Sequence, residues 1–184
     1  MRLLLHTCCA PCIVAPLADL RRERLDVTAF FYNPNVHPLL EFRRRLKAVQ
    51  VFAHQARLPL IAEETYGLTE FLGAVWPDVA ARCPACYRMR IERTARVAAD
   101  EGFDAFTTSL LFSPQQQHGR IIDLGREAAA RSGVEFLVRD LRHLHAASHQ
   151  EARRKSLYSQ QYCGCIFSEY DRYKDTTREL YRGN

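Results

Sequence analysis

The chain has 184 residues, 47% of them hydrophobic and 26% charged, which is enough to bury the core of one ordinary domain. Eight Gly and eight Pro exclude collagen-like and low-complexity classes, and no apolar run reaches the roughly 18 residues of a membrane span. Lys and Arg outnumber Asp and Glu by 26 to 21, a net charge of +5 that suits an anionic partner such as RNA without requiring one.

Residues 2–7 read as a short buried strand that runs into cysteines. Its Leu3, Leu4 and Leu5 break at His6 and Thr7, too short a run for a signal-peptide core, so a cytoplasmic protein is expected. A helix follows over 14–24. V-T-A-F-F-Y at 27–32 is β-branched and aromatic, a second strand that Asn33-Pro34-Asn35 interrupts.

The spacing of Leu39, Phe42, Leu46, Val49, Ala53 and Ala56 predicts a helix over 39–57, with Arg43, Arg44, Arg45 and Lys47 mostly on its other faces. A third strand spans 58–62, and a helix over 67–75 is ended by Pro77. The next helix, 84–101, carries Cys86, Ile91, Ala95 and Ala98, and Gly102 closes it. Strands over 105–111 and 134–138 flank a helix over 116–131. Helices over 149–159 and 168–181 enclose the last cysteine pair.

Alternating strands and helices predict a single α/β domain: an open, mostly parallel five-stranded sheet flanked by helices, nucleotide-hydrolase-like, of order 3-2-1-4-5. Residues from about 145 to 184 form a helical extension that carries Cys163 and Cys165 back over the sheet. Ligands of such sheets sit beyond the carboxyl ends of the strands. Cys8 and Cys9, the segment 33–37 and the segment 107–113, which includes Thr107 and Thr108, should therefore share one rim.

Seven cysteines fall at 8, 9, 12, 83, 86, 163 and 165. An odd number in tight clusters argues against a secreted disulfide framework and for metal binding or redox chemistry. Cys8, Cys9 and Cys12 with Cys83 and Cys86 offer five soft thiolates from two places, one more than a four-ligand site uses. Spacing leaves iron–sulfur and zinc both open. A disulfide across Cys163-Gly164-Cys165 would close a small strained ring that is readily reduced, so this pair suits a redox relay or a chelate.

Weaker candidates surround these. Asn33 and Asn35 suit a binding loop or an ordinary turn. His6 in an apolar strand suits a satisfied core position. Arg43 to Arg45 and Arg153 to Lys155 are candidate phosphate contacts, and Tyr158, Tyr162 and Tyr170 are candidate base-stacking residues. G-x-x-x-x-G-K-[ST], G-x-G-x-x-G and H-E-x-x-H are all absent, so no site for ATP, NAD or flavin is legible.

L-L-L-H-T-C-C-A-P-C at 3–12, Y-N-P-N-V-H-P at 32–38, R-C-P-A-C-Y at 82–87, G-F-D-A-F-T-T-S-L-L-F-S-P at 102–114 and Y-C-G-C-I-F-S at 162–168 occur in that order. Together they resemble the cobalamin-independent epoxyqueuosine reductases, the QueH family. The resemblance implies an enzyme that removes the epoxide oxygen of epoxyqueuosine at the tRNA wobble position, using a four-iron four-sulfur cluster. It implies that Cys8, Cys9, Cys83 and Cys86 bind the cluster and that Cys163 and Cys165 are redox-active.

Cys12 falls where some relatives carry Asp, which makes it a candidate ligand for a second iron or other metal ion. D-L-R-H-L-H at 140–145 departs from the family's D-F-R-K run, which leaves any catalytic part for Asp140 or Arg142 unassigned. On this reading Asn33, Asn35, Thr107, Thr108, Arg43 and Arg44 contact the tRNA substrate. His6, His37, Thr107 and Tyr87 lie near enough the rim to hold a proton, and an unidentified donor supplies electrons. Two other readings are a zinc-stabilised RNA-binding module and a cluster-dependent tRNA sulfurtransferase. The latter needs an S-G-G-x-D-S-like loop where C-C-A-P-C stands.

Overall fold

Strand β1 (Arg2–His6) lies at the centre of a five-stranded sheet in the computed structural model, which describes residues 1–176. Its neighbours are β2 (Asp26–Phe31) and β4 (Ala105–Thr108), and β3 (Leu60–Ala62) and β5 (Glu135–Phe136) close the edges. All four pairings are parallel, and the order β3-β2-β1-β4-β5 is the predicted one.

A parallel sheet is covered on both faces, so its central strands are apolar throughout rather than alternating with polar residues. Leu3, Leu5, Val27, Ala29 and Phe31 pack on one side with residues of α1 (Val14–Arg22) and α2 (Leu39–Ala56). Leu4, Phe30 and Phe106 pack on the other with α4 (Arg82–Asp100) and α5 (His118–Ser132), while α3 (Leu68–Val75) buries Phe71 and Val75 beside the start of α4. Each such large side chain contributes roughly 1.5–3 kcal/mol by leaving water. Gly125 permits the closest helix–sheet approach: a Cβ there would stand 2.0 Å from the ring of Phe136.

Helices α6 (His145–Arg154) and α7 (Ile166–Tyr173) follow the sheet. Ser148 docks α6 on the start of α1, its hydroxyl donating to the Pro11 carbonyl at 2.7 Å and accepting from the Ala15 amide at 2.9 Å. Ala152 and Leu157 join the core beneath α1 and α2.

The structure departs from expectation at several ends. The fourth strand stops at Thr108, whose hydroxyl accepts the Leu110 amide and turns the chain into a 3-10 helix, Ser109–Phe112. Helix α4 starts at Arg82, two residues before the predicted Pro84, because first-turn positions need no amide donor and tolerate proline. Helix α6 starts four residues before the predicted 149 and ends before Ser156, whose φ of 53° is non-helical. The predicted helix over 168–181 is realised as Ile166–Tyr173, and its part beyond residue 176 lies outside the described residues. Among the described residues no helix is long and apolar enough to cross a membrane.

Candidate metal centre

The carboxyl ends of β1, β2 and β4 meet at His6. Its Nε2 lies 3.1 Å from the Tyr32 carbonyl, which only accepts, so Nε2 carries the proton and Nδ1 accepts from the Thr108 hydroxyl at 2.9 Å. Burial, reinforced by the Arg90 charge, lowers its pKa to about 4, and the ring is a neutral brace. His6 is thus the satisfied core residue that its position in an apolar strand suggested.

Beyond that brace the chain leaves β1 into the first thiol group. The Sγ atoms of Cys8, Cys9 and Cys12 lie within 4.8 Å of one another, close enough to share one metal ion. Cys8 and Cys9 stand 3.7 Å apart, and the Ser109 hydroxyl donates to Cys8 at 3.4 Å. Hydrogen bonds from the Cys12 and then the Cys9 thiol hold the Cys8 pKa well below its ordinary value. Burial raises Cys9, and the bond to Cys8 raises Cys12. Two thiols and a hydroxyl are thus turned toward Cys8. Gln160, distant in sequence, donates to Cys9 at 3.1 Å, and its amide oxygen is buried without a partner among the described residues.

Two adjoining cavities open from here. One, of about 180 Å³, is lined by Cys8, Cys12, Ser109, Gln160 and Cys163, with His145 and His149 of α6 at its wall. The other, of about 50 Å³, is lined by Cys83, Cys86, Cys163, Cys165 and Asn35. Cys163, Arg90 and Gln116 face both. Cys8 and Cys12 thus face Cys163 across one cavity, and Cys83, Cys86 and Cys165 face it across the other, with Cys83 and Cys86 entering from the first turns of α4; Cys9 lies beside Cys8. Burial raises Cys83, and it pushes Cys86 up to about 12.

Arg90 decides what this space wants. It is 2% exposed, donates to the Cys86 carbonyl and Sγ, both at 3.2 Å, and among the described residues meets no carboxylate. A buried cation without an anionic partner costs several kcal/mol. Thiolates, free or bound to a metal, supply the missing negative charge, so a thiolate-ligated metal centre fits both the donor set and the field.

Arg45 is read with Arg43 and Arg44 as a phosphate contact in the sequence; the structure corrects this. It is 1% exposed, its Nε donating to Glu41 at 2.7 Å and its two Nη atoms to the carbonyls of Cys163 and Tyr162 at 2.8 and 2.9 Å. It points inward because the i,i+4 spacing from Glu41 places the pair on the buried face of α2. Arg43 and Arg44 point outward, into a groove beside Tyr158.

The hydroxyls of Thr107 and Thr108 are engaged by the Leu137 carbonyl and by His6. Asn33 donates to the Thr7 carbonyl at 2.9 Å, and the amide oxygens of Asn33 and Asn35 are buried without a hydrogen-bond partner among the described residues. His37 accepts from the Ile166 amide through Nδ1, its Nε2 is buried without a hydrogen-bond partner among the described residues, and burial lowers its pKa to about 4. The Tyr87 hydroxyl bonds Gln116 at 2.9 Å, and Asp140 and Arg142 pair with each other at the surface. Arg90, Gln116, Gln160, His145 and His149 are site residues that sequence reasoning missed. The i,i+4 spacings Cys86–Arg90 and His145–His149 were the available signals.

An open parallel sheet with thiols at its carboxyl edge defines the class: an α/β protein in which Cys8, Cys9 and Cys12 stand close enough to hold a metal ion. Over residues 3–171 the sequence matches the family described as Epoxyqueuosine reductase QueH. It is 37% identical over 172 residues to an epoxyqueuosine reductase QueH of Dehalococcoides mccartyi, covering 94% of each chain. It is 34% identical to that of Thermotoga maritima, over 92% of this chain and 91% of the relative, and 32% identical to that of Acinetobacter baylyi, over 92% and 81%. The chain belongs to the epoxyqueuosine reductase QueH family.

Proposed function

We propose that the protein is a cytoplasmic epoxyqueuosine reductase that acts on tRNA, taking the epoxide oxygen out as water and leaving an alkene. The change consumes two electrons and two protons. The observation that supports the reading is the convergence of six thiols, from three segments of one family-matched chain, on two cavities that share Cys163.

In this reading Cys8, Cys9, Cys83 and Cys86 hold a four-iron four-sulfur cluster, and Cys12 is a ligand for a second metal ion. When bound, such a cluster would supply electrons one at a time, and the second metal ion, with an open coordination position, would supply a Lewis acid. The rest is the chain's own work. Cys163 and Cys165, as a dithiol, give up two electrons and two protons in becoming a disulfide, and an external donor restores them. Arg90 holds negative charge in the cavity. The free amide oxygens of Asn33, Asn35 and Gln160 accept hydroxyl groups of the modified nucleoside, and Thr107 and Thr108 hold the rim in place. The wall of Phe112, His145 and His149 limits water. Arg43 and Arg44 meet tRNA phosphates.

The test is a single-turnover assay. Anaerobically purified protein, with iron and sulfide counted, is given epoxyqueuosine-containing anticodon stem-loop RNA and a chemical reductant. The nucleoside should lose one oxygen atom. Intact epoxide after incubation with iron-replete protein would refute the reading.

A further inference from the structure

The groove beside α2 has no part in the thiol chemistry. It is about 440 Å³ in volume, within the range of small-molecule sites. Its floor and walls are Leu40, Ala48, Val51, Leu157 and Tyr158, and its rim is Arg43, Arg44 and Lys47. None of these three cations makes an ion pair among the described residues, and no carboxylate lines the groove. The Arg44 guanidinium lies 6.0 Å from the Tyr158 ring centroid. That ring is anchored at its far end, where its hydroxyl donates to Glu41, itself tied to Arg45.

Continuity with the metal centre narrows the occupant. Ser156, Leu157 and Tyr158 line the groove, and Gln160 to Cys163 of the same segment line the larger thiol cavity. One residue, Ser159, separates Tyr158 from Gln160, and the chain spans at most ~3.6 Å per residue. An apolar slot with an anchored aromatic ring and a cationic rim is the arrangement that takes unpaired bases with their phosphates.

We propose that this groove binds the nucleotide next to the modified one in the anticodon loop, its base against Tyr158 and Leu40 and its flanking phosphates on Arg43 and Lys47. The inference rests on the enzymatic reading above and adds to it a second, separate point of RNA contact.

The experiment measures binding of epoxyqueuosine-containing anticodon stem-loop RNA to the iron-replete protein across a salt series, with turnover followed in parallel. In Arg43→Ala/Lys47→Ala the slope of log affinity against log salt should fall by about 1.4, the loss of two single-strand phosphate contacts. Tyr158→Leu should bind on the order of tenfold more weakly with the slope unchanged, and Tyr158→Phe, which keeps the ring, should recover most of that loss. Iron content per chain verifies that each variant is folded and loaded.

Parent-like slope and affinity in all these variants, with a parent that converts the RNA, overturns the groove and leaves the enzymatic reading standing. A parent that neither binds nor converts the RNA overturns both. Unchanged RNA binding with slower reduction by an acidic protein donor assigns the groove to that donor and equally overturns the proposal.

Discussion

Arg45 holds Cys163 by its backbone: a fully buried guanidinium donates to the cysteine's carbonyl at 2.8 Å across a sequence separation of 118 residues. The same group takes the Tyr162 carbonyl and the Glu41 carboxylate, so one planar fork fixes the chain on which Cys163 and Cys165 sit. The loop is therefore held from two sides, by Arg45 of helix α2 and by the segment after β2, whose His37 amide donates to the Gly164 carbonyl at 2.8 Å.

Arg45→Met leaves Glu41 buried without its cation and should cost roughly 3–5 kcal/mol in urea unfolding. Glu41→Leu/Arg45→Met removes both charges and should be less destabilised than the single change. Arg45→Lys keeps the charge and loses the fork. It should lower kcat more than it raises KM, because the thiol pair is displaced directly while Tyr158 is reached only through Glu41. An Arg45→Lys enzyme with parental kcat would show that the fork does not matter.

The assignment of the thiols predicts distinct losses. Alanine at Cys8, Cys9, Cys83 or Cys86 should abolish the brown charge-transfer absorption and lower iron and sulfide together. Cys163→Ala and Cys165→Ala should keep colour, iron and sulfide while losing turnover. Cys12→Ala should keep sulfide and lose at most the iron in excess of the cluster. A colourless, zinc-loaded parent from anaerobic cells would point instead to a structural metal.

Gly164 has a φ of +146°, and a Cβ there would come within 3.2 Å of Arg45 Nη1, Asn35 Nδ2 and Val36 Cγ2. Gly164→Ala should destabilise the protein by about 1–3 kcal/mol. The strain falls between the two cysteines, so the reduction potential of Cys163 and Cys165, read by thiol labelling in redox buffers, should move as well. An unchanged potential would separate the glycine's structural part from the pair's chemistry.

His6 and His37 are neutral in the folded protein with pKa values near 4, against 6.5 for the free side chain. Between those values the unfolded chain binds protons that the folded chain refuses, so stability falls as pH drops from about 6.5 to about 4. The ceiling is ~3 kcal/mol per histidine. Urea midpoints at pH 7.5, 6.5, 5.5 and 4.5 should decline through that window; a flat series would contradict the assignment.

The sheet was legible because V-T-A-F-F-Y and L-L-L are patterns that a doubly covered strand requires, and the rim follows from strand direction alone. Helix starts were less so. Cys83 lies inside α4 because a proline two or three residues into a helix does not end it, and reading Pro84 as the first helical residue left that thiol outside. Arg45 was indistinguishable from Arg43 and Arg44 in a run of like charge, although the periodicity of α2 already gave it a different face. Gln160 could not be found locally at all, since its partner Cys9 lies 151 residues away. The grouping of sulfurs around Cys163 is of the same kind: it depends on how α6 and the segment after it return over the sheet, which no local pattern encodes.

Of the seven sulfurs, Cys163 alone is exposed, the others being buried or partly so, and it is also the one that borders both cavities. That sulfur is therefore the one a reagent in solvent meets most readily. A bulky alkylating reagent should find it first and silence the enzyme at one equivalent.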